Sequence, residues 1–159
     1  MLVPAISKKQ ELEQKFAEHL YDDTMFFYNG YSHCNVLPDL EPRENIYKWA
    51  IVNKNNEVIG YFTYYIEPQA NNVCSFGLYS FENDTTIGID VYKKIKELIK
   101  NNRRLEWRMI DTNPVKKYYD HLCKHYHGNR VMLHKVVKSP SGKFLNEYIY
   151  EILKEDLIS

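Results

Sequence analysis

Sixteen residues at positions 113–128, NPVKKYYDHLCKHYHG, hold three histidines, a cysteine, two adjacent tyrosines and three lysines. Histidine and thiolate ligate zinc, while histidine and tyrosine can also carry a proton in catalysis. On a strand, the alternation of His121, Cys123, His125 and His127 would bring four ligands to one side. Proline in the first turn marks a helix instead. At about 100° per residue, His121 and His125 share a face and Cys123 points roughly 160° away from both. The HxxxH pair that remains needs a further ligand, and the glutamate of the HExxH zinc hydrolases is absent. The histidines read as a solvated face, and no metal is expected.

The opposite side of this helix carries Val115, Tyr118, Tyr119, Leu122 and Tyr126 at i, i+3, i+4, i+7 and i+11, the spacing of a buried stripe. A buried tyrosine must satisfy its hydroxyl, so such a residue is either a core residue or a group aimed into a cleft. A second stretch with chemical potential is NDTTIG, residues 83–88. Asp-Thr-Thr before an apolar run is an ordinary capping sequence. The same helix start presents free N–H groups and the positive end of a dipole to an anion. Lys93, Lys94, Lys96, Lys100, Arg103 and Arg104 lie on or just after that helix. By charge pattern they form a solvated face.

Several elements must position these residues. After LVPAI, a short strand, Lys8 to about Tyr21 reads as a helix started by Ser7, with Leu12, Phe16 and Leu20 on one side. MFFY within residues 22–45 suggests a short second helix before Gly30, Pro38 and Pro42 impose a loop. YKWAIV and VIGYFTYYIE flank NKNNE as a hairpin, and NVCSFGLYSF adds a third antiparallel strand. Ile87, Val91, Ile95, Leu98 and Ile99 define the next helix, with Asp84, Thr85 or Thr86 as its cap. LEWRMID is a strand, the opening stretch a helix, and RVMLHKVVK and KFLNEYIYEIL a closing hairpin around SPSG. A strand, helix, strand crossover within an antiparallel set predicts a mixed sheet with helices on its faces.

Composition sets the outer bounds. The 159 residues make one domain, residues 1–159, with 44% hydrophobic and 14% aromatic content to fill a core. Lys+Arg 21 against Asp+Glu 21 leaves no net charge to attract a polyanion, and no nucleic-acid recognition motif surrounds the basic patch. Three separated cysteines without CxxC (Cys34, Cys74, Cys123) fit a reducing, cytoplasmic setting. Neither a signal-length apolar run nor a membrane span is present, so the chain reads as soluble and unprocessed.

With the meander, the helix after it, the short strand and the NPVKKYYDHLCK helix in hand, the order resembles the GNAT-type N-acetyltransferases from about Tyr47 to Leu153. IVNKNNEVIGYFTYY looks like the family's second and third strands. NPVKKYYDHLCK is similar to its N-P-x-A-x-x-F-Y-E-x-L segment. The resemblance implies an α/β (α+β) fold: a mixed, mostly antiparallel sheet of about six to seven strands with helices on both faces. It also implies acetyl-coenzyme A as co-substrate, bound in a V-shaped opening between the strand ending near Phe81 and the run 105–111. The family's pyrophosphate turn, [QR]-x-x-G-x-[GA], aligns with NDTTIG. Asn83 takes the Gln/Arg position, Thr86 the first glycine and Gly88 the second, and a Cβ at Thr86 narrows the approach. Thr85 and Thr86 add hydroxyl donors, whereas Asp84 adds an opposing charge.

The reaction implied is direct attack of an amine on the thioester in a ternary complex. Tyr119, aligned through Y-D-x-L, corresponds to the family's acid that protonates the departing thiolate, and Tyr118 takes that place if the register is counted differently. Asn113 corresponds to a residue that contacts pantetheine or closes the strand end, and Leu78 and Ser80 to backbone that meets the pantetheine amides. The basic set is a candidate for the coenzyme's 3′-phosphate. Glu67 or a water chain is a candidate base. Tyr64, Tyr65, Tyr28, Trp49 and the FFY run are candidates for an acceptor cleft. An amine-bearing small molecule or peptide is the implied partner, and such domains often form homodimers. The rival reading is a non-catalytic module of the same fold that has lost coenzyme affinity through NDTTIG.

Overall fold

The computed structural model describes residues 1–29 and 37–157; the breaker Gly30 and the cysteine Cys34 lie outside them. A short strand β1 (Leu2–Pro4) leads through a 3₁₀ turn (Ala5–Lys8) into α1 (Lys9–Glu18), and α2 (Met25–Asn29) follows. Next come β2 (Ile46–Val52), β3 (Val58–Glu67), β4 (Asn72–Ser80) and α3 (Thr85–Asn101). The chain continues through β5 (Arg104–Ile110), α4 (Lys116–His125), β6 (Asn129–Lys138) and β7 (Phe144–Leu153). The strands form one seven-stranded sheet in the order β1-β2-β3-β4-β5-β7-β6. Only β4 and β5 pair in parallel; the other neighbours are antiparallel. This is the mixed, mostly antiparallel architecture that the sequence leads one to expect.

Ser7 does not start α1. It sits inside the 3₁₀ turn, where its hydroxyl donates to the Pro4 carbonyl at 2.7 Å. A short hydroxyl side chain readily bonds back to a carbonyl three residues upstream, and here that bond replaces a cap. The NKNNE turn behaves as its asparagines predict. Asn56 takes a φ of 64°, and Asn53 Oδ1 accepts the N–H groups of Asn55 and Glu57.

Both faces of the sheet are covered. α1 and α2 bring Leu12, Phe16 and Met25 against Ala50, Val52, Tyr61 and Tyr79. On the other face, Ile87, Val91, Ile95, Leu98 and Ile99 of α3 pack with Phe62, Val73, Leu105 and Trp107, and α4 adds Leu122 and Cys123. The five α3 side chains together contribute roughly 10 kcal/mol of hydrophobic stabilisation before chain entropy is subtracted. No helix among the described residues is long and apolar enough to cross a membrane.

One irregularity prepares the site. Thr63 pairs with Gly77 but Tyr65 pairs with Cys74, so Tyr64 alone faces both Ser75 and Phe76. Ser75 adopts a left-handed φ of 56°, and the extra residue bends β4. The ladder between β4 and β5 spans only Asn72↔Arg104 and Val73↔Leu105. Beyond those pairs the bulge turns β4 away, and two parallel strands become a fork.

Candidate functional site

Past Val73 the β5-facing edge of β4 has no strand partner, and this edge includes Leu78 and Ser80. The Leu78 side chain packs against the α3 and α4 core, and the Ser80 hydroxyl donates to the Glu82 carbonyl. Phe76 of β4, Ile95 of α3, Leu105 and Trp107 of β5, and Tyr119 and Leu122 of α4 meet as a closely packed apolar wall at the fork. Two polar groups belong to this wall. The Trp107 indole N–H is buried with no hydrogen-bond partner, and the Tyr119 hydroxyl has none among the described residues. Burial pushes the Tyr119 phenol up to about 12.

Tyr119 points inward because α4 is anchored on either side of it. Its ring lies 5.7 Å from the Trp107 ring, which stacks on Tyr150 at 5.0 Å. Tyr150 donates its hydroxyl to Asp120 at 2.8 Å, and Lys116 and Arg130 donate to the same carboxylate. Burial alone would raise Asp120, but these three bonds hold it down at about 2.

The buried stripe of α4 differs from the one read from spacing. Val115 lies at the surface and Tyr118 is 65% exposed, with the Lys117 ammonium over its ring. Tyr119, Leu122, Cys123 and Tyr126 make the inner face. The reason is that α4 begins at Lys116 rather than Asn113. The core-facing arc is centred on Tyr119, Leu122 and Cys123, and Tyr118, about 100° round the helix from Tyr119, falls outside it. His121 and His125 share the outer face, their rings 6.4 Å apart and 15° from parallel. Cys123 is buried on the inner side and donates its thiol to the Asn129 carbonyl at 3.3 Å. Among the described residues no three His, Cys, Asp or Glu side chains are grouped to hold a metal ion.

Asn113 closes the end of β5. Its Oδ1 accepts the Val115 N–H at 3.1 Å, its carbonyl accepts the Lys116 N–H, and its own N–H donates to the Ile110 carbonyl. At the start of α3, Asp84 is the cap. Its carboxylate accepts the Thr86 N–H at 2.8 Å, and hydrogen bonds from Thr86 hold it below the usual carboxylate range. Asn83, Thr85, Thr86 and Gly88 are all exposed there. A Cβ built on Gly88 would meet nothing within 4 Å. Nothing among the described residues therefore requires glycine at this position.

The basic residues do not form one patch. Lys94 pairs with Glu97 and lies over Trp49, Lys96 lies over Tyr92, and Arg103 pairs with Glu155. Arg104 is a strand residue engaged by Glu106 and Glu151. It alternates with Leu105, so it lies on the face away from α3. Lys93 and Lys100 have no carboxylate partner among the described residues.

Glu67 lies at the closed end of the fork, opposite Asn72. Its two oxygens accept the N–H groups of Gln69 and Ala70, so it serves the turn. Tyr64 and Trp49 belong to the α3-side core, and Tyr64 stacks on Tyr47. Tyr65 pairs with Cys74, near the closed end.

The FFY run stays at the fork. Tyr28 of α2 sits behind β4, where a Cβ on Gly77 would come within 2.9 Å of its ring, while Phe26 and Phe27 pack on Ile110, Val137 and Leu145. α2 thus spans the fork from the face opposite Tyr119. Trp107 and Glu147 escaped the sequence reading. The alternation of FLNEYIYEIL, which turns Glu147 to the same face as Leu145, is the signal that could have found the second.

No family model matches the chain, and no curated protein matches it. The structure is similar to spermidine N-acetyltransferase from Vibrio cholerae in complex with CoA and spermine, with a TM-score of 0.70, 10% identity, and 95% of this chain and 94% of that one covered. It is also similar to ribosomal-protein-alanine N-acetyltransferase from Brucella melitensis, with a TM-score of 0.66, 16% identity and 96% and 99% covered. A probable acetyltransferase of the GNAT family from Chromobacterium violaceum gives 0.65 at 12% identity, with 100% and 88% covered. With the sheet order, the bulge and the fork between its two parallel strands, the chain has the GNAT acetyltransferase fold.

Proposed function

We propose that this chain is an N-acetyltransferase that moves an acetyl group from acetyl-coenzyme A to an amine in a ternary complex, acting as one domain in the cytoplasm. The observation that carries this reading is the fork between β4 and β5 with an unpartnered tyrosine hydroxyl in its apolar wall. The unpaired edge of β4 at Leu78 and Ser80 offers main-chain groups to pantetheine. Asn83, Thr85, Thr86 and Gly88 at the start of α3 receive the pyrophosphate, with Asn113 beside the strand end. A solved protein of this fold binds CoA and spermine together, which supports a coenzyme and an amine as ligands.

In this reading the amine lone pair attacks the thioester carbonyl carbon, and main-chain N–H groups of β4 hold the developing oxyanion. The C–S bond then breaks with its electrons on sulfur, and Tyr119 gives the sulfur its proton. A phenol near 12 is a weak acid for a thiol of ordinary pKa about 8.5. Burial against the same apolar wall also raises the basicity of a thiolate placed there, which narrows the difference.

The Asp84 cap favours a second reading, a module that keeps the fold without coenzyme affinity, because its charge stands where the pyrophosphate would sit. One experiment separates the two. Acetyl-coenzyme A at 100 times its Kd should stabilise the protein by about 2.7 kcal/mol, and a primary amine should then release free coenzyme thiol. An unchanged melting temperature at saturating acetyl-coenzyme A would overturn the enzyme reading.

A further inference from the structure

Among the described residues one carboxylate is buried, that of Glu147 on β7, at 3% exposure. Among the described residues no hydrogen bond reaches it, and the one ion pair is with the half-exposed Arg108 guanidinium at 3.7 Å. Its cross-strand neighbours are Ile110 on β5 and Leu133 on β6, and Leu145 and Ile149 flank it on its own strand. The α2 residues that pack on Ile110 and Leu145 are Phe26 and Phe27, so that helix brings no charge to the place. Burial raises its carboxyl above the usual range.

A carboxylate this buried without a hydrogen bond is costly unless something arrives to pair with it. Position says what arrives. Glu147 pairs with Ile110, the last residue of β5, so it stands at the open end of the fork. It shares the face of Ile110, under α2, and thus lies on the side of the sheet opposite Tyr119.

Resting on the acetyl-transfer reading, we infer that Glu147 receives the acceptor as an alkylammonium and takes its proton before attack. The ammonium forms a charge-assisted hydrogen bond to the carboxylate, directly or through one water. It then gives up one proton, leaving a neutral amine and Glu147 as the acid. The amine attacks, the C–S bond breaks, and sulfur takes the Tyr119 proton. The proton left on the amide nitrogen returns through water to the Tyr119 phenolate, and Glu147 releases its own to solvent. The sum is ammonium and acetyl-coenzyme A giving amide, coenzyme A and one proton. Acceptors that are cationic at neutral pH are the class this site fits.

Glu147→Gln tests the role, because glutamine is isosteric and removes only the buried charge. Turnover is measured at pH 7 with saturating acetyl-coenzyme A and either n-butylamine, which is protonated there, or hydroxylamine, which is already neutral. The variant is expected to lose about 100-fold with n-butylamine and to stay within about threefold of wild type with hydroxylamine. Equal losses with both amines would make Glu147 a structural residue, and no loss with either would make it a bystander; each overturns the inference. Wild-type protein that binds acetyl-coenzyme A but acetylates neither amine also overturns it and leaves the coenzyme reading standing. Failure to bind acetyl-coenzyme A at all removes both.

Discussion

Trp107 and Tyr150 lie ring on ring, their centroids 5.0 Å apart and their planes 1° from parallel. Tyr119 leans on the same indole, and the Tyr150 hydroxyl binds Asp120, the next residue along α4. The phenol at the fork is therefore held through its ring by Trp107 and through its backbone by the Asp120 anchor. A helix so pinned cannot turn by one residue and present Tyr118 instead.

Replacing Tyr119 with Phe deletes the hydroxyl and keeps the ring against Trp107. Turnover should fall by about 100-fold, the low end for loss of a general acid, while the Kd for acetyl-coenzyme A stays within about twofold. Steady-state kinetics beside calorimetric binding checks this. Unchanged kcat would remove Tyr119 from the chemistry.

Two glycines should respond to alanine with opposite signs. A Cβ on Gly77 would press on Tyr28 and Thr63 atoms at 2.9 Å, so Gly77→Ala should destabilise by about 2 kcal/mol. At Gly88 the space is open and the backbone helical, so Gly88→Ala should stabilise by about 0.8 kcal/mol. If phosphates approach there, the same change weakens coenzyme binding about tenfold, roughly 1.4 kcal/mol. Urea unfolding with and without acetyl-coenzyme A reads both effects, and a stabilised Gly88 variant with unaltered affinity would count against the pyrophosphate assignment.

Asp84 caps α3 and also places a negative charge at the proposed phosphate site. Asparagine caps nearly as well, so Asp84→Asn should leave the melting temperature of the free protein within about 2 °C. It should tighten acetyl-coenzyme A binding severalfold. Titration calorimetry at two salt concentrations would show the gain shrinking as screening rises.

Asp120 should couple stability to acid. Its folded pKa lies at about 2, below the ordinary 3.8, because the bonds from Lys116, Tyr150 and Arg130 outweigh the opposing effect of burial. The stabilisation is thus present above about pH 4 and is lost as pH falls toward 2. Urea midpoints of wild type and Asp120→Asn should differ at pH 6 and converge near pH 2. Parallel profiles across that window would show that the ion cluster contributes nothing.

Much of the fold is legible along the chain because it rests on local periodicity. The five buried residues of α3 stand at the spacing read from them, Asn56 takes the left-handed angle its turn needs, and the strands of the meander fall within a residue or two of their runs. The sequence also placed His121 and His125 together on the outside of α4, since that depends only on helical pitch.

The choice between Tyr118 and Tyr119 depended on an anchor thirty residues downstream, the Tyr150 hydroxyl on Asp120, which no local pattern contains. Likewise, Glu147 is one acidic residue in an alternating strand until pairing with Ile110 of β5 and Leu133 of β6 sets it in a buried place. Helix and strand periods fix which residues can share a face. Long-range pairing alone decides which face is dry, which hydroxyl is left without a partner, and where two strands part to admit a ligand.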